Sequence, residues 1–313
     1  MTMAAREALT PDVLALVEAV ARNGSFAGAA RELGLVPSAV TYRVRQAEDA
    51  LDVLLFDRST RQAHLTEAGA ELLREGQRLL QEIDAVANRV RRVANGWESQ
   101  LTIAVDTVVS TTTMMELACD FTEVAPSTRL RLRDEVLTGT LEAVATGEAD
   151  LAIGVALDAT SSQGIQAAPL GVLPFIFVVA PSHPLATAQE PIGDAVLQKH
   201  RAIAVADSVR RGLAMTTGLL PGQDVLTVAS MQAKLDAQLR GLGGGWVPEP
   251  MARAYIAAGR LVVRQVQRPP RMPRFHYAWR AGTPPGRGLS WWLARLEGPA
   301  TRQALLEAHP MPQ

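Results

Sequence analysis

What this sequence lacks sets the first limits on what it can be. It has one cysteine, Cys119, in 313 residues, which excludes an intramolecular disulfide and a cysteine metal cluster. Cys119 falls near Leu117 and Phe121 in a helical stretch and reads as core filler. The five histidines, His64, His183, His200, His276 and His309, are scattered without HxxxH or HxH spacing, so no metal site is expected. The longest apolar run, Leu170 to Ala180, is too short to span a bilayer and contains Pro174. The first residues lack the basic-then-apolar pattern of a signal peptide, which predicts a cytoplasmic protein. There is no GxGxxG, Walker or GxSxG motif. "GLGGGW" (Gly241 to Trp246) follows a helix instead of a strand and reads as a helix stop. Neighbouring carboxylates such as Asp134 and Glu135 alternate faces on a strand and cannot act together. Neither catalysis nor a cofactor is expected. Charge of one sign is missing too: the net charge is −1, and residues 1–96 hold 12 Arg against 13 Asp plus Glu. Any nucleic-acid surface therefore has to be local.

What is present is a chain long enough for two or three domains, with 48% hydrophobic residues to fill their cores. Thr10 and Pro11 form a helix start, and Val13, Leu14, Val17 and Val20 mark an amphipathic helix that stops before Asn23-Gly24. Ser25 can cap a second helix, "FAGAAREL", closed by Gly34. In the third, Val40, Val44, Ala47 and Leu51 make one apolar face. Ser38, Thr41, Tyr42 and Arg45 line another at i, i+3, i+4 and i+7, all able to hydrogen-bond. Two short helices joined by a glycine turn, the second with a polar face, form the helix-turn-helix pattern. Leu54–Phe56 and Ala63–Leu65 then flank a polar turn with Arg58 and Arg61, a small wing. Thr66 caps a long helix to about Asn95. Leu72, Leu79, Ile83, Val86, Val90 and Val93 keep alternating three- and four-residue steps along it when Gly76 is counted, as a coiled-coil seam does. At about 1.5 Å per residue this helix is about 45 Å long; it is a dimerising linker or a long intradomain helix. From Leu101 onward strands alternate with helices, one of them starting at Ser230, which predicts an α/β domain of two lobes with largely parallel sheets. "RPPRMPR" (Arg268 to Arg274) reads as a loop.

The continuous run "GSFAGAARELGLVPSAVTYRVRQAEDALDVLLFDRSTRQAHLTEAG" resembles the DNA-binding segment of LysR-type transcriptional regulators, and the remainder fits that family's plan. The resemblance implies an N-terminal winged helix-turn-helix (9–66), a coiled-coil linker helix (67–96) and a two-lobed, periplasmic-binding-protein-like α/β effector domain (97–313). Lobe I would hold about 97–157 and 268–313, and lobe II about 158–267. Two departures stand out: Val36-Pro37 replaces the Ser-Gln that often opens the recognition helix, and Ala47-Glu48-Asp49 replaces the usual Leu-Glu pair. Pro37 cannot make the amide contact to adenine that glutamine can.

On this reading Ser25, Pro37, Ser38, Thr41, Tyr42, Arg45, Arg58 and Arg61 face double-stranded promoter DNA. Thr41 and Tyr42 could touch thymine methyls, base edges or phosphates, and Arg45 a phosphate or guanine. Ser38 lies where helix amides favour a phosphate. A small-molecule effector would sit between the lobes, among loops at strand ends. Candidates from lobe I are Asp106, Thr107, Ser110, Leu137 and Thr138. From lobe II come Val205, Ala206, Asp207, Ser208, Trp246 and Val247. Asp106 and Asp207 would oppose an anion unless Arg210 or Arg211 compensates, which points to a neutral aromatic or weakly polar effector. Asp106 pointing to solvent or capping the following helix is the other reading. Further implied partners are RNA polymerase and a second copy of the chain, as a homodimer or a homotetramer. Two other classes compete. A solute-binding protein would need an export signal, and an enzyme a nucleophile, metal or phosphate loop.

Overall fold

The computed structural model describes residues 7–57, 63–156, 164–210, 214–269, 271–282 and 284–309, with the side chains at 88, 89, 91–93 and 95 left aside. The chain divides into two compact units, residues 1–90 and 91–313.

The first unit opens on three helices, α1 (Pro11–Asn23), α2 (Phe26–Leu33) and α3 (Pro37–Leu51). Local chemistry sets their ends. Thr10 Oγ1 accepts from the Val13 amide and Ser25 Oγ from the Gly28 amide, while Gly24 and Gly34 take the left-handed turns at φ +61° and +66°. Strands β1 (Phe56–Asp57) and β2 (His64–Leu65) pair antiparallel as the stem of the wing. Its tip, with Arg58 and Arg61, lies outside the described residues. Val17, Val20, Ala30, Val40, Val44, Ala47 and Phe56 form the core, with Phe26 edge-on to Phe56 at 5.4 Å. Glu48 is buried, and its Oε1 accepts from the Leu55 amide at 2.9 Å. The departure at Ala47-Glu48-Asp49 therefore still places a carboxylate that fastens the wing to α3.

Helix α4 (Glu67–Asn95) is capped by Thr66, whose Oγ1 accepts from the Gly69 amide at 3.0 Å. Its first turns belong to this unit's own packing. Leu72 packs on the core, and a Cβ on Gly76 would lie 3.0 Å from Leu14 Cδ2. Beyond Gly76 the stripe is bare: Leu79, Ile83, Val86 and Val90 are all exposed.

The second unit opens with strand β3 (Gln100–Asp106), helix α5 (Thr111–Val124), strand β4 (Arg129–Glu135), helix α6 (Thr138–Ala145) and strand β5 (Leu151–Ala156). Strands β6 (Ile165–Val172) and β7 (Phe175–Val179) follow, then the single-turn helix α7 (Asp194–Leu197), β8 (Ala202–Val205) and β9 (Val225–Val228). The chain continues through α8 (Met231–Leu239), β10 (Gly245–Pro248), α9 (Glu249–Ala257), β11 (Val262–Val263) and β12 (Arg274–Arg280), and ends in α10 (Arg287–Glu297) and α11 (Pro299–Glu307).

Lobe I is a five-stranded sheet in the order β4-β3-β5-β12-β6. Lobe II is built on β10-β7-β11 and the parallel pair β8-β9, with a bridge joining Ala202 to Gly244. The expectation of largely parallel sheets is corrected. β3 pairs parallel with β4 and β5, but β12 returns antiparallel to both β5 and β6, and β7 is antiparallel to β10 and β11.

The lobe boundary also moves. Residues 165–172, expected in lobe II, form β6 at the edge of the lobe I sheet, paired with β12. The chain crosses to lobe II at Leu173–Pro174 and returns past Arg271, and the two crossings bond to each other through Leu173 N to Pro273 O (3.2 Å) and Phe175 N to Arg271 O (2.8 Å). Cys119 is corrected as well. It is exposed, because Thr113, Met114, Leu117 and Phe121 set the buried face of α5 and a residue two beyond Leu117 points about 200° away.

Candidate DNA-reading surface and effector site

In α3 the face opposite the core carries the expected polar row. Pro37, Ser38 and Arg45 are exposed, and Tyr42 is 63% exposed. Thr41 is half-buried, and its hydroxyl donates to Pro37 O at 2.9 Å, which leaves its methyl and lone pairs for a partner. The Tyr42 hydroxyl accepts from Gln46 Nε2 at 3.0 Å and keeps its proton to donate. Gln46 therefore belongs to the same face. The sequence reading missed it, although the i, i+4 step from Tyr42 already points there. Ser25 is occupied by capping α2, so its first role is local.

In the second unit the expected loops meet between the lobes. Ser208 sits astride the junction: its hydroxyl accepts from Val136 N at 2.8 Å and donates to Glu135 Oε2 at 2.6 Å, while its amide donates to Val136 O at 3.3 Å. The Asp207 carboxylate lies at the N-terminus of α6, accepting from the Thr138 hydroxyl and from Gly139 N at 3.2 Å. Val209 N (3.0 Å) and Met215 N (2.8 Å) complete its shell. Burial pushes the Asp207 carboxyl up, but the Thr138 hydroxyl and these amides outweigh it and hold the group below the usual carboxylate range. Thr107 Oγ1 accepts from Met231 N at 3.3 Å, a further tie between lobes. Gly139 permits the contact: a Cβ there would fall 2.1 Å from Ser208 Oγ and 3.0 Å from Val209 N.

Asp106 is buried, and neither sequence alternative describes it fully. Oδ1 accepts from Val108 N (2.9 Å), and Oδ2 from Leu137 N (2.9 Å) and Thr140 Oγ1 (3.3 Å). It fastens the entry to α6, where Leu137 is held at φ +53°. Burial pushes its pKa up to about 7, with the Asp207 charge adding to the rise and the two amides and Thr140 opposing it.

Arg210 does not compensate Asp207. Its amide donates to Glu142 Oε2 (2.7 Å) and its guanidinium to Glu148 Oε2 (3.3 Å), which Arg133 also binds. Arg211 lies outside the described residues. Three expected lining residues point elsewhere. Ser110 is buried, caps α5 and donates to Ala308 O, because its strand end turns towards the C-terminal helix. Val247 is fully buried in the core. Trp246 packs edge-on to Phe177 at 6.0 Å inside lobe II. Val205 is half-buried and Ala206 exposed at the end of β8, beside the junction.

Among the described residues no three His, Cys, Asp or Glu side chains gather as metal ligands, and no helix is long and apolar enough to cross a membrane. His183 and His200, far from any HxH spacing, do come together with rings 5.4 Å apart, but His183 Nδ1 is spent on the Leu185 amide.

A helix-turn-helix with an outward polar row, in one chain with a two-lobed α/β domain whose strand-end loops converge, defines a ligand-responsive DNA-binding regulator. Two family models match: "Bacterial regulatory helix-turn-helix protein, lysR family" over residues 11–70 and "LysR substrate binding domain" over residues 94–299. The chain belongs to the LysR family and is a LysR-type DNA-binding transcriptional regulator with an effector-binding domain. The probable HTH-type transcriptional regulator YhaJ of Escherichia coli K12 is 37% identical over 294 residues, 94% of this chain and 98% of that protein. The HTH-type transcriptional regulator PunR of the same strain is 35% identical over 256 residues, 82% of this chain and 83% of its own length. Among solved structures, CbnR, a LysR family transcriptional regulator, has a TM-score of 0.59 at 18% identity, over 92% of this chain and 98% of that one. A full-length variant of AphB gives 0.57 at 19%, over 92% and 98%. At such identities these structures speak for the fold.

Proposed function

We propose that the protein is a cytoplasmic, non-enzymatic sensor-regulator. Its effector is a neutral, weakly polar molecule, aromatic in the favoured case, that acts on the junction between the lobes. The observation that carries this reading is the Asp207 carboxylate seated on the α6 N-terminus. Helix amides of that kind attract anions, and here the chain supplies its own. An anionic effector would meet the Asp207 carboxylate, with Arg210 already engaged by Glu148. A neutral ligand competing for the Thr138, Ser208 and Thr107 hydroxyls would loosen these ties without that repulsion. Its binding would shift the balance between two lobe geometries.

The DNA-contacting role of Ser38, Thr41, Tyr42 and Arg45, with Arg58 and Arg61 on the wing, belongs to the same proposal. So does a homodimer formed along Leu79, Ile83, Val86, Val90 and Val93, assembling further to a tetramer that contacts RNA polymerase. The solute-binding alternative is set aside because it leaves the N-terminal unit without a role.

The test is a thermal-shift screen of neutral aromatics against small acids. A ligand present at about 100 times its dissociation constant stabilises by roughly 2.7 kcal/mol. Stabilisation by a neutral compound that weakens in Ser208→Ala is the expected result. Stabilisation by acids alone would overturn the neutral-effector reading.

A further inference from the structure

The chain relies on arginine for positive charge: of 31 Lys plus Arg, only Lys199 and Lys234 are lysines. Lys199 is exposed. Lys234, on the first full turn of α8, is 7% exposed. No hydrogen bond or ion pair from its ammonium to a described residue is present, and the charged group that acts on it is another cation, Arg271. Arg271 comes from the return crossing between the lobes and lies over the Trp246 ring, 5.7 Å from its centroid, likewise without an acid among the described residues. The neighbouring Arg268 is spent on Asp194, at 3.0 and 3.1 Å. Lys234, Arg268 and Trp246 line one cavity in lobe II with Thr217, Gly218 and Gln223, and its volume is about 20 Å³; Arg271 is not in this lining and stands next to its Gly218 wall. The rest of its wall is apolar, Phe177, Leu197 and Leu220 included, and no described Asp or Glu takes part in the lining.

A buried ammonium with no counter-charge, and a half-buried guanidinium as its charged neighbour, is costly unless something negative joins it. A void of this size exceeds the roughly 10–15 Å³ that one water needs, enough for the two-oxygen head of a carboxylate and tight for a tetrahedral oxyanion. Lys234 offers the cavity a compact charge, and the Arg271 guanidinium, 5.7 Å from the Trp246 centroid and bound to no described acid, adds a second positive charge close by.

We propose that lobe II contains a second ligand site, separate from the junction between the lobes, in which Lys234, backed by Arg271 beside the Gly218 wall, binds the carboxylate of a small organic acid. The roof of this site is the segment holding Thr217 and Gly218, where a Cβ on Gly218 would lie 3.4 Å from Arg271 Nη1. Two residues before Thr217, the Met215 amide binds Asp207 at the junction. Occupancy of the lobe II site is thereby tied to the lobe contact, so an acid here modulates the response to the effector of the first site.

The test uses full-length protein titrated calorimetrically with sodium acetate at pH 7 and constant ionic strength, with inorganic phosphate and chloride as parallel arms. Saturable acetate binding that falls at least tenfold in Lys234→Met and in Arg271→Gln is the expected result. Selective 13C labelling of lysine gives an independent reading in the wild type, since only two side chains contribute. Acetate should move the Lys234 signal and leave Lys199 in place. The proposal is overturned by an unmoved Lys234 signal, by equal responses to acetate, phosphate and chloride, or by saturation with phosphate alone. Undiminished binding in Arg271→Gln overturns it too. Failure of the neutral-effector screen would leave this measurement untouched.

Discussion

Gly139 and Asp106 show how single atoms hold the lobe junction. Replacing Gly139 with alanine would put a methyl 2.1 Å from Ser208 Oγ, so one lobe has to back away from the other. A cost of about 1–3 kcal/mol is expected for such overpacking, or several degrees in the melting temperature of the effector domain. Adding Ser208→Ala should recover part of it, and a double-mutant cycle would read that coupling. Equal melting temperatures for Gly139→Ala and wild type would show that the lobes do not meet as described. Asp106 predicts a pH dependence. Its folded pKa of about 7 lies above its ordinary value of 3.8, so folding favours the protonated form. That contribution is complete below about pH 4 and is lost as the pH rises through about 7, at up to about 1.4 kcal/mol per pH unit. Chemical denaturation at pH 4.5, 6 and 7.5 should show the decline, and Asp106→Asn should flatten it. Residue roles of this kind were only half legible in the sequence. Thr10, Ser25, Thr66 and Ser230 were readable as helix starts because a cap acts within three residues. Asp106 and Asp207 were found as a place but not as a chemistry, because their partners lie 31 and 69 positions away. Ser110 was misplaced for the same reason, its hydroxyl being used by Ala308.

At the scale of elements, α4 is the part where a periodic pattern carries two meanings. Leu72 and Gly76 continue the same three-and-four rhythm as Leu79 to Val90, yet the first pair packs on its own unit and the rest are exposed. Periodicity fixes which face is apolar; it does not say what covers it. Replacing Ile83 and Val90 together with glutamate should therefore leave the N-terminal unit folded while dissociating the dimer in sedimentation velocity. Loss of two-site binding should weaken operator affinity by about 100-fold or more. Leu72→Ala should do the converse, lowering stability with the dimer intact. A monomeric wild type would remove the linker from the dimerisation proposal. Strand β6 illustrates the opposite case, an element the pattern hid. "IQAAPLGV" holds a proline and a glycine, and it stands at a sheet edge with several positions open to solvent. Edges tolerate proline because one side of the strand needs no ladder bond, so neither alternation nor a buried run announced it. The helices of the first unit were readable to within a residue or two, since caps, glycines and apolar spacing agreed there.

For the molecule as a whole, charge makes the sharpest demand. A net charge of −1, with arginines and acids nearly balanced over residues 1–96, leaves no broad positive field to hold the protein on DNA. Affinity has to come from a few placed contacts, doubled in the proposed dimer. Each phosphate contact adds about 0.9 to the slope of log affinity against log salt, so a protein with few of them should show a shallow slope. On the proposed reading Arg45, exposed on α3 and one of the two arginines on that helix, then carries an unusual share. If it meets a phosphate, Arg45→Ala should lower the slope by about 2 per dimer and weaken operator and unrelated DNA alike. If it reads guanine, the slope on unrelated DNA should stay put while discrimination at one base pair is lost, at about 1–3 kcal/mol. Mobility shifts at three salt concentrations, on operator and on scrambled duplex, separate the two. An Arg45→Ala protein with wild-type affinity and slope on both would mean that α3 does not enter the groove by this face.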